Sequence, residues 1–139
     1  MNCLATKSEI EKWIENAKRK RTGYLRVVDD CDKQLARLEP VYKELGDIKR
    51  SFRSIRKSTA EIICEKKKWC GEKYSSFCQD GDALDTICGE YYKTLDVAQD
   101  SINVKIGELK AKKRELLPLI GGLWGQIERW KVDIQNIGN

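Results

Sequence analysis

The sequence contains no histidine, and this absence removes several classes of site at once. Without His there is no His-based general acid or base, no Ser–His or Cys–His nucleophile pair, and no mixed Cys/His zinc site. The acidic residues Asp80, Asp82 and Asp85 lack the further oxygen ligands, at fixed spacing, that a calcium loop requires. We therefore predict a protein that is not an enzyme and that has neither a metal site nor a cofactor.

Long apolar runs are scarce as well. The longest mostly apolar run without a charge extends over 12 residues, from Leu116 to Ile127, whereas a membrane helix needs about 20. The first residues contain no apolar segment before the charges begin, so no secretory signal is visible. These features predict a cytoplasmic chain without a transmembrane segment, and they leave open export by a route that needs no classical signal peptide.

Charge is plentiful but unevenly distributed. The chain has 139 residues, of which 35% are charged and only two are Pro, a composition typical of a single domain of long helices. Residues 1–68 carry 18 Lys and Arg against 11 Asp and Glu, and residues 69–139 carry 9 against 11. This basic first half allows an alternative function, weak binding to nucleic acid or an anionic surface. Because acidic residues interrupt the widely spaced basic runs, we do not expect nucleic acid as the partner.

The first half carries an apolar stripe whose members recur every three or four residues, the spacing of a coiled-coil helix. The stripe begins with Ile10, Ile14, Ala17, Tyr24, Val28, Cys31, Leu35, Leu38, Tyr42 and Leu45, with Arg21 as a polar interruption. Beyond Leu45 the pattern predicts a small phase shift, after which the stripe continues through Ile48, Phe52, Ile55, Thr59 and Ile62.

The stripe predicts a first helix over about residues 6–68. Thr6 or Ser8 is expected at its N-cap, and Glu9 stands three residues after Thr6, which is the spacing of a capping box. Pro40 lies inside the stripe, where its missing N–H predicts a kink or a full break. The stripe stays in phase across Pro40, which favours the kink.

The second half repeats an apolar residue every seven positions. The main row comprises Cys88, Leu95, Ile102, Leu109, Leu116, Leu123, Trp130 and Ile137. A companion row comprises Leu84, Tyr91, Ala98, Ile106, Ile120, Ile127 and Ile134, with a slip of one position after Ala98 and with Lys113 as its polar exception. We predict a second helix over about residues 72–137, with a break at 79–82 as an alternative because Asp80-Gly81-Asp82 is turn chemistry.

The two helices meet at Trp69-Cys70-Gly71, close to the midpoint of the chain. Gly71 can adopt the backbone conformation that ends a helix, and Trp69 is a large apolar side chain that can fix a bend. The sequence therefore predicts an all-α fold over residues 1–139, a long antiparallel hairpin with its turn at 69–71. The glycines Gly121, Gly122 and Gly125 are expected to permit close helix approach.

A two-helix hairpin has no third layer to cover the apolar residues that lie off its main seam. We expect partner helices to complete the hairpin into a bundle. Folding about the turn brings Trp13 level with residues near Ile127, so Trp13, Trp124 and Trp130 are expected to cluster at the open end. Aromatic side chains commonly dominate protein interfaces. Trp13, Leu117, Trp124 and Trp130 are therefore the candidate interface residues.

A helical hairpin with a Trp-x-Gly turn resembles the WXG (Esx-type) proteins of type VII secretion. Trp69 and Gly71 supply the motif, and Tyr74 and Phe77 look like the aromatic positions that often follow it. In length the chain is most similar to the small WXG-like partners of LXG toxins in Gram-positive bacteria. The resemblance implies a targeting or chaperone protein that binds the N-terminal helical domain of an LXG effector, with a second small WXG-like protein as a further partner. It implies a hetero-oligomer, whereas the alternative is a self-associating coiled-coil scaffold.

The resemblance also directs attention to an export pattern, Tyr-x-x-x-Asp/Glu. Tyr92 and Asp96 match it. The match lies in the middle of the second helix, whereas the family's signal lies near the end of that helix or beyond it. We therefore do not expect Tyr92 and Asp96 to act as an export signal.

Six cysteines show no Cys-x-x-Cys pair and no zinc spacing. A bend near residue 71 places Cys64 opposite Cys78, whereas a bend near residue 75 nests Cys70–Cys78 inside Cys64–Cys88. The third alternative, favoured by synthesis in a reducing compartment, is that the thiols stay reduced.

Overall fold

The protein is all-α, and its two long helices pack against each other as a helical hairpin. Helix α1 comprises Lys7–Glu65 and helix α2 comprises Glu72–Ile137. The structure is a computed structural model that describes residues 5–65 and 72–137, without the side chains of residues 63–65 and 72–74. The predicted turn at 69–71 lies outside the described residues.

The start of α1 confirms the predicted capping box. The Glu9 amide donates to the Thr6 hydroxyl at 3.2 Å, and the Thr6 amide donates to the Glu9 carboxylate at 3.3 Å. The Ile10 amide donates to the Thr6 carbonyl, which is the first bond of the helix. Thr6 rather than Ser8 is therefore the N-cap, because its side chain satisfies a donor that the helix itself leaves unpaired.

Neither interior break that the sequence left open is present. Helix α1 continues through Pro40, and α2 continues through residues 79–82. An interior Pro removes one hydrogen bond, to the carbonyl of the residue four positions earlier, which is Ala36 here. In a helix of 59 residues this is one missing hydrogen bond among many, and the packing of α1 against α2 stabilises the remaining helix.

The described chain divides into two compact units, each pairing a segment of α1 with a segment of α2. Unit 1 comprises Met1–Ala36 and Gly107–Asn139, and unit 2 comprises Arg37–Ile106. The boundary on α1 falls after Ala36, the residue whose carbonyl loses its helical hydrogen bond to Pro40.

Unit 1 contains most of the buried core. Its central cluster joins Ile10, Ile14 and Ala17 of α1 to Ile127 of α2, and Ile127 is 1% exposed. Leu123, Trp130 and Ile134 pack against this cluster. A second cluster in the same unit contains Val28, Leu116 and Ile120, with Tyr24 packed against it. In this unit the seven-residue stripes of both helices form the seam, as their spacing predicted.

In unit 2 the predicted phase shift of α1 is wrong. Ile48, Ile55 and Ile62 are 42%, 51% and 50% exposed, and their neighbours Lys49 and Arg56 face α2. The long aliphatic stems of Lys and Arg can cover apolar surface while their charged ends find partners, so the seam accepts these residues. The stripe that begins at Ile10 therefore keeps its spacing along α1, with Lys49 and Arg56 among its members, and the predicted phase shift is absent.

The same correction applies to α2. Leu84 and Tyr91, expected in the seam, are 47% and 58% exposed. Tyr91 still contacts Phe52 of α1, but the hydrogen bonds to α1 involve Asp85, Tyr92 and Gln99, each one position after a residue of the predicted companion row. Asp85, Tyr92, Gln99 and Ile106 stand seven residues apart and form one continuous row. The predicted slip after Ala98 is therefore absent.

The distal glycines do not mark a close helix approach within the described chain. No atom lies within 4 Å of a Cβ placed on Gly121, Gly122 or Gly125. Gly46 is the crowded position, because a Cβ there would lie 3.1 Å from Nε2 of Gln99.

Candidate functional site

The candidate site is the surface that the hairpin leaves uncovered. Among the described residues, twelve hydrophobic residues are buried, whereas eighteen large hydrophobic residues are more than a third exposed. Single exposed apolar side chains are ordinary, but rows of them at helical spacing indicate a contact surface. The exposed residues of each unit are described separately below.

In unit 1, Trp13 and Trp130 form an aromatic pair beside the core. Their ring centroids are 5.8 Å apart and the rings are tilted by 47°. Trp13 is 42% exposed, and Trp130 packs against the cluster around Ile127. Together with Asn16, Ala17, Lys20 and Leu123 they line a groove of about 470 Å³. Four of its six lining residues are apolar, so the groove can accept an apolar side chain of a partner.

The prediction that Trp13, Trp124 and Trp130 form one cluster is wrong for Trp124. Trp124 lies under the guanidinium of Arg21, with 4.9 Å between the Arg21 Cζ and the ring centroid, and Lys131 lies 5.7 Å from the same centroid. The seam residue next to Trp124 is Leu123, which packs against the Ile127 cluster. A shift of one residue turns a side chain by about 100° around a helix. Trp124 therefore projects from a different flank than Trp130.

Leu117 and Trp124 are seven residues apart on α2 and are 51% and 49% exposed. They occupy equivalent positions of the seven-residue pattern, and Lys131 follows at the next. Arg21, predicted as a polar interruption of the stripe, covers one face of Trp124. The Nε atom of Arg21 is buried and has no hydrogen-bond partner. Lys113, the other predicted exception, forms an ion pair with Asp32. The charged seam residues of unit 1 stay compatible with the seam because each has an aromatic or acidic neighbour.

In unit 2, one flank of the seam is charged. The Lys49 ammonium donates to the carboxylate of Asp96 and to the side-chain oxygen of Gln99. Arg53 donates to the Tyr92 hydroxyl at 2.6 Å, and its Cζ lies 5.7 Å from the centre of that ring. Tyr92 and Asp96, the residues that match the export pattern, therefore both contact the basic side of α1.

Arg56 and Asp85 extend this charged flank. The guanidinium donates from Nε to one oxygen of Asp85 at 2.9 Å and from Nη2 to the other at 3.2 Å. This two-point hydrogen bond from Arg56, supported by the attraction of opposite charges, lowers the pKa of the Asp85 carboxyl and raises the pKa of Arg56. Hydrogen bonding to Asp96 likewise raises the pKa of Lys49.

The opposite flank of unit 2 is apolar. Tyr91 stacks on Phe52 with a centroid distance of 6.0 Å and an interplanar angle of 12°. Ile48 lies one turn before Phe52 and Ile55 lies one turn after it, so Tyr91 and these two isoleucines share a flank. Six exposed residues follow this flank: Ile48, Ile55 and Ile62 of α1, with Leu84, Ile87 and Tyr91 of α2. We call this surface the uncharged face.

The turn motif is only partly within the described chain. Trp69 and Gly71 lie outside the described residues, and Tyr74 lies in α2 with its side chain outside them. Phe77 is a partly buried residue of α2.

The cysteines are similarly divided. Cys31 and Cys88 are buried free thiols, and Cys78 is a partly buried free thiol. Cys70 and the side chain of Cys64 lie outside the described residues. The described part of the chain shows no group of three His, Cys, Asp or Glu side chains arranged to hold a metal ion. In the described helices, no segment is both long enough and apolar enough to cross a membrane.

Comparison with known proteins identified no similar protein. No protein-family model, curated protein or solved structure matches the chain.

Proposed function

We propose that this chain is a non-enzymatic binding protein whose hairpin packs against the helices of a partner protein. The observation that carries the proposal is the excess of exposed apolar residues over buried ones among the described residues, which form two helices. Burial of apolar surface contributes about 25 cal/mol per Å². A surface of this kind therefore favours association with further helices.

The proposed partner is the N-terminal helical domain of an LXG-type effector of type VII secretion, which this protein would keep folded and help to target. Support comes from the hairpin architecture together with the Trp-x-Gly sequence between its helices. A second small WXG-like protein would complete the complex. The effector domain would supply the helices that the hairpin lacks, giving a hetero-oligomeric bundle.

Unit 1 offers the anchors for such a partner. The groove beside Trp13 and Trp130 can receive one large apolar side chain, and Leu117 and Trp124 offer a second contact strip one heptad long. Buried aromatic residues in pockets usually contribute most of the binding energy of an interface, commonly about 2 kcal/mol or more each. Trp13 and Trp124 are therefore the residues whose loss should weaken the complex most.

The first test identifies the partner and then measures binding with purified proteins. The chain is purified gently from its native cell, and co-eluting proteins are identified by mass spectrometry. The expected result is a larger protein with a helical N-terminal region, which is then produced separately and titrated with this chain by calorimetry. Recovery of this chain alone would remove the support for an effector.

Two variants and a control locate the contact. Trp13→Lys and Trp124→Lys should each weaken binding of the identified domain by about tenfold or more, since each replaces an aromatic anchor by a charge. Val132→Lys is the matched control, because Val132 is 53% exposed on α2 and outside both anchor sites. Equal binding by all three variants would show that the partner does not use the tryptophans.

A further inference from the structure

A small cavity opens on the charged flank of unit 2, between Arg53 and Arg56 of α1 and Tyr92 of α2. Its volume is about 340 Å³, and these three residues are the lining that the described chain provides. The two arginines are three positions apart, so they lie on one face of α1. All three side chains carry hydrogen-bond donors, and the two guanidinium groups are always charged. The cavity therefore presents donors and positive charge to whatever enters it.

Arg53 has no acidic partner within the described part of the chain. Three of its basic neighbours on α1 do have one, in the ion pairs Lys49–Asp96, Arg50–Asp47 and Arg56–Asp85. The Arg53 guanidinium instead donates to the Tyr92 hydroxyl, a neutral acceptor, at 2.6 Å. One positive charge of this flank is therefore not compensated by a contacting carboxylate, and it lies at the cavity.

The hydrogen bonds already formed leave donors available on each lining residue. Arg53 uses only its Nη2 atom, and Arg56 uses Nε and Nη2 for the two oxygens of Asp85. A guanidinium has five N–H donors, so Nη1 of both arginines stays available. The Tyr92 oxygen accepts from Arg53, which leaves the hydroxyl proton free to be donated. An anion with several oxygen atoms can satisfy these donors together.

Gly89 leaves the Arg56 guanidinium accessible from the side of α2. A Cβ placed on Gly89 would lie 3.6–3.7 Å from Nη2, Cζ and Nη1 of Arg56. Gly89 stands four residues after Asp85 and three before Tyr92, so all three lie on one face of α2. A longer side chain at this position would extend over the guanidinium. The glycine thus keeps space beside the donors that line the cavity.

We propose that this cavity is an oxyanion site that binds a phosphate monoester. Guanidinium groups bind phosphate oxygens through charge-assisted hydrogen bonds, and a phosphate monoester offers three such oxygens and up to two negative charges. Arg53 supplies the uncompensated charge, and Arg56 and Tyr92 supply further donors. A carboxylate has two oxygens and one charge, so it matches this set of donors less well. The cavity also has room for the first atoms of the organic group that carries the phosphate.

The proposal does not rest on the proposed function, because it needs only the residues of unit 2. The test titrates the purified, ¹⁵N-labelled full-length protein with inorganic phosphate up to about 20 mM, with sodium chloride keeping the ionic strength constant. Nuclear magnetic resonance follows the Nε–H signals of the arginines. We expect saturable shifts at Arg53 and Arg56 with a dissociation constant of about 1 mM, which suits a ligand of five heavy atoms held by charged hydrogen bonds. The absence of any saturable shift would overturn the proposal.

Matched variants test whether the cavity is the site. Arg53→Gln removes the uncompensated charge, and we expect the dissociation constant to rise by about tenfold or more. Arg50→Gln is the control, because it makes the same change of charge three residues earlier at a position outside the cavity, and it should leave the constant within about twofold.

Tyr92→Phe removes only the hydroxyl and should weaken binding by about threefold. Far-ultraviolet circular dichroism checks that all three variants keep their helices. Equal weakening by Arg53→Gln and Arg50→Gln would indicate general attraction by charge, and it would overturn the assignment of this cavity. Unchanged binding by a folded Arg53→Gln protein would overturn it as well.

Two sources of phosphate monoesters are distinguished by vesicles. Phosphatidylcholine vesicles are prepared with and without phosphatidic acid, whose headgroup is a phosphate monoester. If the protein sediments only with the vesicles that contain phosphatidic acid, and Arg53→Gln abolishes this, the ligand is a lipid headgroup. If inorganic phosphate binds at the cavity and Arg53→Gln has no effect on the vesicles, the ligand is a soluble phosphate monoester. Either result supports the site, and its failure leaves the proposed partner binding through unit 1 untouched.

Discussion

Replacing Ile127 by Ala is the most direct test of the unit 1 core. Ile127 of α2 is 1% exposed and packs in one core cluster with Ile10, Ile14 and Ala17 of α1. The substitution removes three carbon atoms, each worth about 0.8 kcal/mol of lost burial. The remaining cavity adds to this cost, and the better helix propensity of Ala subtracts a few tenths of a kcal/mol. We expect the free energy of unfolding to fall by about 3 kcal/mol.

The measurement is urea unfolding at one fixed protein concentration, followed by circular dichroism and by tryptophan fluorescence. Fluorescence is informative here because Trp130 packs against the Ile127 cluster. The matched control is Val132→Ala, which truncates a 53% exposed residue of the same helix and should change stability by less than about 0.5 kcal/mol. A loss below about 1 kcal/mol for Ile127→Ala would show that this residue does not hold the helices together as described.

Two further predictions concern unit 2 and the helix interiors. Because hydrogen bonding from Arg56 lowers the pKa of Asp85, the stabilisation from this pair is present above the ordinary carboxyl pKa of about 4 and is lost as the pH falls through the lowered folded-state pKa. Arg56→Met should raise the Asp85 pKa towards its ordinary value in a carboxyl-carbon NMR titration, and an unchanged pKa would contradict the pairing. Gly121→Ala should stabilise the protein by about 0.5–1 kcal/mol, since Gly is a poor helix former and the added Cβ meets no atom within 4 Å. Gly46→Ala should gain less in the same urea titration, because its Cβ would crowd the Gln99 amide at 3.1 Å, and an equal gain would show that this contact yields freely.

The candidate site shows which contacts can be predicted from residue spacing and which cannot. Counting from the predicted turn places Trp13 level with residues near Ile127, and in the structure Trp13 pairs with Trp130. The same counting could not separate Trp124 from Trp130, because it gives the level of a residue along the hairpin and not its direction around the helix. Arg21, noted only as a polar interruption, is the residue that covers Trp124.

The sequence by itself determined that this protein is all-α with two long helices, because seven-residue spacing of apolar residues is compatible with helices and not with strands. It also determined the start of α1, since the Thr6 and Glu9 capping box is a local interaction. Only the tertiary structure decided which row faces inward in unit 2. Ile48 and Ile55 repeat every seven residues, and so do Lys49 and Arg56, which are displaced from them by one position. The polar row faces inward because Asp96 and Asp85 on the other helix pair with it, and such pairing between distant parts of the chain is not visible in the spacing of either helix.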